Sequence, residues 1–275
     1  MFGRSDAVRR LARTSLALLF GVAATVGAGR NGVPLHAQGA TGTIAGHVRL
    51  TGPATANPII RMGADPRCSR ALGGKRITQD TVLRAADGGL ANVFVNLQGS
   101  FQGGAPPATP VTIDQRGCVY VPRVQGARVG QTLQVLNNDP TGHNVHSLSS
   151  KGNTFNVSQP VKGLSNSFPL KADEVMLRIK CDIHSWMVTY VGVVPHPYFG
   201  VTGADGAFTI ARVPAGRHTI QIWHEQYGRM TKTVEVKAGA TATVDFAYTG
   251  KEKPDTAGIR DLVVPDGTTV ALLTR

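Results

Sequence analysis

The chain has 275 residues, 41% hydrophobic and 17% charged, with 33 glycines, 16 prolines and 6% aromatics. That apolar content excludes a wholly disordered chain, and the length allows one large domain or two small ones. The net charge of +12 is spread out with no Lys/Arg block, which argues against nucleic-acid binding and for an acidic partner surface.

Arg9, Arg10 and Arg13 precede an uncharged apolar run at residues 15–28. That run is shorter than the ~20 residues a membrane helix needs and matches the core of a signal peptide. Residues 1–37 are therefore expected to be an export signal, cleaved after Ala37 or Ala28. They hold five arginines and one aspartate, so +4 of the charge lies there and +8 in the rest. No later apolar run is long enough to span a bilayer. The mature chain is expected to be a periplasmic or secreted bacterial protein without a membrane span.

Beyond residue 40, strand patterns recur between Gly, Pro, Asn and Asp. Residues 43–50, 92–97, 118–121 and 131–136 alternate, and 103–110 (GGAPPATP) is a loop. Residues 174–181 (EVMLRIKC) place Val175, Leu177, Ile179 and Cys181 on one face. Residues 188–194 form another strand. From 198 to 248 the sequence reads as four short antiparallel strands, with Asp205-Gly206 as a hairpin signal. No helical period persists beyond about two turns, so the fold class is all-β. The expected divisions are a β extension at 41–87, a central domain at 88–196, a small antiparallel sandwich at 197–250 and a polar tail at 251–275 with two short strands.

Chemistry concentrates in two motifs. Cys181-Asp182-Ile183-His184-Ser185-Trp186-Met187 holds thiolate, imidazole and thioether donors at C-x2-H-x2-M spacing. Thr141-Gly142-His143-Asn144-Val145-His146 lies just past an earlier strand. Two His, one Cys and a weak axial Met are the donors of a mononuclear blue-copper site. Either His143 or His146 could supply the second imidazole, and strand alternation could instead leave His146 outside the site.

GHNVH at 142–146 and CDIHSWM at 181–187, with the lead-in ARVGQTLQV at 127–135, resemble the cupredoxin family over about residues 88–196. The resemblance implies a Greek-key β-barrel and copper bound by His143, Cys181, His184 and Met187. It also implies a backbone brace on the thiolate from Asn144. His184 would lie near the surface beside Ile183 and Trp186, making His184 and Trp186 the electron entry, although Trp186 is equally a packing residue. Ile183 departs from the family, where proline is frequent. The function implied is one-electron transfer with a redox protein partner.

Three cysteines are odd in number, and an exported chain pairs thiols. Cys68 and Cys118 are the natural pair, leaving Cys181 as ligand. Two free thiols are the alternative, and a Cys118–Cys181 bond would destroy the copper site. His47, His196, His218 and His224 read as surface or packing residues.

Lys180 and Asp182 flank Cys181, so the neighbouring His that wires a second copper centre is missing. No G-x-S-x-G, H-E-x-x-H or phosphate loop occurs, and no enzyme is expected. Residues 201–210 and 213–216 resemble the carboxypeptidase regulatory-like family, a transthyretin-like sandwich with a carbohydrate-binding-like fold. The resemblance implies docking to a protein or cell-surface polymer. At about 50 residues the module is short, and 43–50 or 92–97 would complete it unless they belong to the barrel. The competing function is a non-redox β-sandwich binding protein for carbohydrate or protein, with copper structural or lost. A copper-buffering protein is a third.

Overall fold

In the structure, a computed structural model, residues 40–62 and 65–255 are described. The expected signal peptide and the two short strands near the C-terminus lie outside them. The elements are β1 (Thr41–Leu50), α1 (Pro66–Ala71), β2 (Phe94–Gln98), β3 (Val111–Gln115), β4 (Tyr120–Val121), β5 (Val124–Arg128), β6 (Thr132–Asn137), β7 (His143–Ser147) and β8 (Asn156–Gln159). They continue with β9 (Ser165–Pro169), β10 (Glu174–Lys180), β11 (Val188–Val194), β12 (Phe199–Val201), β13 (Ala207–Pro214), β14 (Gly216–His224), β15 (Gly228–Val236), β16 (Thr241–Thr243) and β17 (Phe246–Tyr248). Among the described residues the chain is all-β apart from α1. Among the described residues no helix is long and apolar enough to cross a membrane.

The strands form two sandwiches. In the first, β13-β1-β16, with β17 also on β1, faces β12-β2-β14-β15. Alternation along β1 sends Ile44, Val48 and Leu50 into a core shared with Val95, Leu97, Phe208, Ile220 and Ile222. Both segments whose sandwich the sequence left open pair with the C-terminal strands. β1 runs antiparallel to β13, and β2 runs antiparallel to β14 from Thr219↔Gln98 to Trp223↔Phe94. The expected division at residue 88 instead grouped β2 with the copper motifs.

The second sandwich sits between β2 and β12 in the chain. Its sheets are β5-β11-β10-β7-β8 and β4-β3-β6-β9. Ile113, Leu133, Val135, Val145, Leu177 and Ile179 fill its core, joined by Cys68, Cys118, Cys181 and Met187. Two local expectations change. A bulge between Glu174 and Leu177 breaks the alternation of β10. Leu177, Ile179 and Cys181 stay in the core, while Val175 and Met176 pack together against the other sandwich. Asp205-Gly206 does form a turn, with Gly206 at φ +78 and its N–H on Gly203 O. The strands it joins, β12 and β13, lie in opposite sheets rather than in one hairpin.

The sandwiches meet through a notch. Gly126 on β5 and Gly192 on β11 are register partners. A Cβ on Gly192 would sit 2.3 Å from the Phe94 ring, and one on Gly126 would sit 2.3 Å from Phe199. Two aromatic rings of the first sandwich thus occupy space that only glycine leaves free. Beside them, Arg123 and Glu225 form a bidentate ion pair with N–O distances of 2.8 and 2.6 Å.

The segment after β1 crosses from the first sandwich to the second. Ile60, Met62 and Cys68 enter the second core. Asp65 caps α1, its Oδ1 accepting from the N–H of Arg67 and Cys68, and Pro66 occupies the first turn. Cys68 is disulfide-bonded to Cys118 in the β3–β4 connection, as expected, with Cα atoms 5.7 Å apart. In the chain-entropy picture a closed loop of this length contributes about 4 kcal/mol.

Candidate metal centre

β7 and β10 are antiparallel neighbours, so the start of one lies beside the end of the other. His143 opens β7, and Cys181 follows the last residue of β10. The turn to β11 folds back with Met187 N–H on His184 O and Cys181 N–H on Met187 O. This tight loop carries Cys181, His184 and Met187, all fully or almost fully buried, next to the buried His143.

The donor atoms of His143, Cys181 and His184 all lie within 4.8 Å of one another. The Nδ1 atoms of the two histidines face each other at 3.0 Å, and Cys181 Sγ is 3.8 Å from His184 Nδ1. Asn144 braces the sulfur as the family resemblance implied. Its backbone N–H donates to Cys181 Sγ at 3.3 Å, and its Oδ1 accepts from Asp182 N–H. His146 points the other way, as alternation along β7 dictates, and pairs with the Asp182 carboxylate at 3.0 Å.

One expectation is overturned. His184 is not at the surface: it is 2% exposed. Asp65 Oδ2 lies 2.9 Å from its Nε2, Cys68 Sγ lies 3.6 Å from it, and the Trp186 ring packs at 5.1 Å. The sequence motif carries no sign of this cover, which comes from the capped helix more than a hundred residues earlier. Trp186 is half-buried and donates through Nε1 to Cys118 O. Among the loop's apolar side chains Ile183 stands well out, at 60% exposure.

Sequence reasoning missed two carboxylates. Asp65 holds His184 Nε2, and Asp139 holds His143 Nε2 at 2.9 Å. Their signals were present. Asp65-Pro66 is a helix-start pattern three residues before Cys68, and Asp139 precedes His143 by four residues. Carboxylates on the outer nitrogens turn the inner Nδ1 atoms toward each other and, at His184, toward the Cys181 sulfur.

Charge in the site is matched. Burial alone would raise the Cys181 thiol, but hydrogen bonds from His143, His184 and two backbone N–H groups bring it down to about 6. Burial alone would lower His143, but Asp139 and Cys181 raise it to about 9. His184 is raised against its burial by Cys181 and Asp65. A ready thiolate and two imidazoles in a dry pocket suit a soft or borderline cation such as copper. Two adjacent groupings, Asp65–Cys68–His184 and Cys118–Asp139–His143, have their sulfurs in the disulfide and offer no free thiolate. Elsewhere, His224 and His196 are buried packing residues, and His196 Nε2 lies 3.0 Å from Leu97 O.

The fold and site together define an all-β chain with a buried His2Cys donor set on adjacent strand ends. No family model matches the chain, and no curated protein does. Solved structures do. An amicyanin mutant with Cu(I) is 18% identical, covering 36% of this chain and 97% of amicyanin, with a TM-score of 0.28. A purple cupredoxin from Nitrosopumilus maritimus is 22% identical, covering 30% of this chain and 97% of its own, with a TM-score of 0.26. A copper-containing nitrite reductase from Thermus scotoductus SA-01 is 20% identical over 34% of this chain, with a TM-score of 0.28. The chain spans 24% of that reductase.

Proposed function

We propose that this protein is an exported mononuclear blue-copper carrier that passes single electrons between redox partners and catalyses no reaction of its own. The observation that carries the reading is the convergence of His143, Cys181 and His184 within 4.8 Å in a buried pocket, with the Asn144 N–H on the sulfur. Copper, when bound, supplies a one-electron couple there. The chain supplies the frame. Cys181 holds a thiolate between two N–H donors, and both histidine rings are pinned from behind by carboxylates. Met187, buried and tied by its N–H to His184 O, would lend its thioether as a further ligand. A frame fixed before loading needs little rearrangement when an electron moves.

The disulfide suits an oxidising compartment, and the basic charge suits an acidic redox partner. The first sandwich, whose residues 201–210 and 213–216 resemble a carboxypeptidase regulatory-like module in sequence, would serve in docking to that partner or to a surface polymer. A second reading has its own support. The burial of His184 favours a copper-holding protein with no fast partner.

Adding Cu(II) to the purified protein tests the main reading. An intense thiolate-to-copper visible band that Cys181→Ser abolishes supports it; a colourless protein refutes it. A fast reversible electrochemical couple separates a carrier from a copper-holding protein.

A further inference from the structure

We infer that the Cys68–Cys118 disulfide and the two aspartates beside it form one clamp that positions both histidine rings. The site is then built partly by a segment outside the two copper motifs. Its metal role rests on the copper reading above; its geometry does not.

The arrangement is paired. The Cys68 backbone N–H donates to Asp65 Oδ1 at 3.4 Å, and Asp65 Oδ2 holds His184 Nε2 at 2.9 Å. The Cys118 backbone N–H donates to Asp139 Oδ2 at 2.8 Å, and that same oxygen holds His143 Nε2 at 2.9 Å. Gly117 N–H adds a second bond, to Asp139 Oδ1 at 2.6 Å. Each half-cystine is thus bonded to the carboxylate that orients one histidine, and the sulfur bridge joins the halves. Thr141 Oγ1 donates to Asp65 Oδ2, and Trp186 Nε1 donates to Cys118 O, tying both metal-binding loops to the same unit. Both half-cystines and both histidines are buried, and the Asp65 side chain is 20% exposed.

The Cys68 bond also caps α1, but no cap accounts for the Cys118 and Gly117 N–H groups, which both bind the carboxylate that holds His143. Because the hydrogen bond at one imidazole nitrogen sets the direction of the other, the clamp fixes where both Nδ1 atoms point. Asp65 and Asp139 are positioning residues in this account.

Three proteins test it: the wild type, Asp65→Asn and the double variant Cys68→Ser/Cys118→Ser. Asn remains a good helix cap, so Asp65→Asn keeps α1 while removing the acceptor at His184 Nε2. In the metal-free proteins, NMR exchange of the ring Nε2 protons is read first. Protection is expected at both histidines in the wild type, lost at His184 alone in Asp65→Asn, and lost at both in the double serine variant. With Cu(II), the variants are expected to bind about 10–100-fold more weakly, with shifted copper hyperfine splitting and reduction potential. Lower thermal stability with unchanged ring protection, hyperfine splitting and potential would show a staple only and overturn the clamp. If the double variant does not fold, Asp65→Asn and Asp139→Asn carry the same test one ring at a time. A wild type without the copper band but with clamp-dependent ring protection would refute the copper reading and leave the clamp standing.

Discussion

Glu225→Ala tests how the two sandwiches are held together. Arg123 lies between β4 and β5 of the second sandwich, and Glu225 follows β14 of the first. Arg123 Nε and Nη2 donate to the two carboxylate oxygens at 2.8 and 2.6 Å. Nη1 donates to Val188 O at 3.2 Å, and the guanidinium lies 5.9 Å from the Tyr190 ring centroid. The side chains are 14% and 4% exposed. Removing the carboxylate leaves a guanidinium buried without its counter-charge, which costs about 3–5 kcal/mol. An exposed pair would be worth about 0–1 kcal/mol. At a urea slope of about 3 kcal/mol per M, the midpoint should fall by about 1–1.7 M. Urea unfolding of the metal-free protein, followed by circular dichroism, measures it. Replacing both partners, Arg123→Met with Glu225→Leu, should recover most of the loss, because no charge is then stranded. A midpoint shift below about 0.3 M for Glu225→Ala would refute the argument, since it would make the pair energetically a surface pair.

Three further outcomes follow from single residues. Burial, and then the charge of Arg123, push His224 down to about 3. The unfolded chain therefore binds a proton that the folded chain refuses between pH ~6.5 and ~3. The stability is fully present above that window and falls by up to about 1.4 kcal/mol per pH unit as pH drops through it. His224→Phe should flatten that slope, and equal slopes in the two proteins would contradict the assignment. Gly192→Ala should cost about 1–3 kcal/mol, because the new Cβ must displace the Phe94 ring; thermal unfolding reads it, and an unchanged melting temperature would contradict the notch. Met187→Leu should leave copper bound and raise the reduction potential; an unchanged potential would remove Met187 from the site.

The sequence carried the local features well. Period-two alternation marked β1, β2 and β6, and C-x2-H-x2-M marked a loop whose Cys181 and His184 donors converge with His143. What it did not carry was long-range. Nothing within residues 43–50 says that they will lie between β13 on one side and β16 and β17 on the other. Such pairing is decided by which distant edges remain open. The bulge in β10 is likewise invisible to an alternation count, because it changes the phase without changing the composition. The burial of His184 is the clearest case. The motif placed it correctly within its loop, but its exposure depends on Asp65 and α1, which the chain delivers from another domain's flank. The disulfide was the one hint that residues near Cys68 approach the β3–β4 turn, and it was legible from cysteine parity together with the reading of Cys181 as a ligand.

The central claim is that one metal ion sits among His143, Cys181 and His184. X-ray absorption at the copper edge of the loaded protein tests it most directly. The account predicts one copper per chain with a single short sulfur shell and two imidazole nitrogens, the sulfur shell vanishing in Cys181→Ser and one imidazole vanishing in His143→Ala. A spectrum with only oxygen and nitrogen neighbours, or one unchanged by Cys181→Ser, would contradict it.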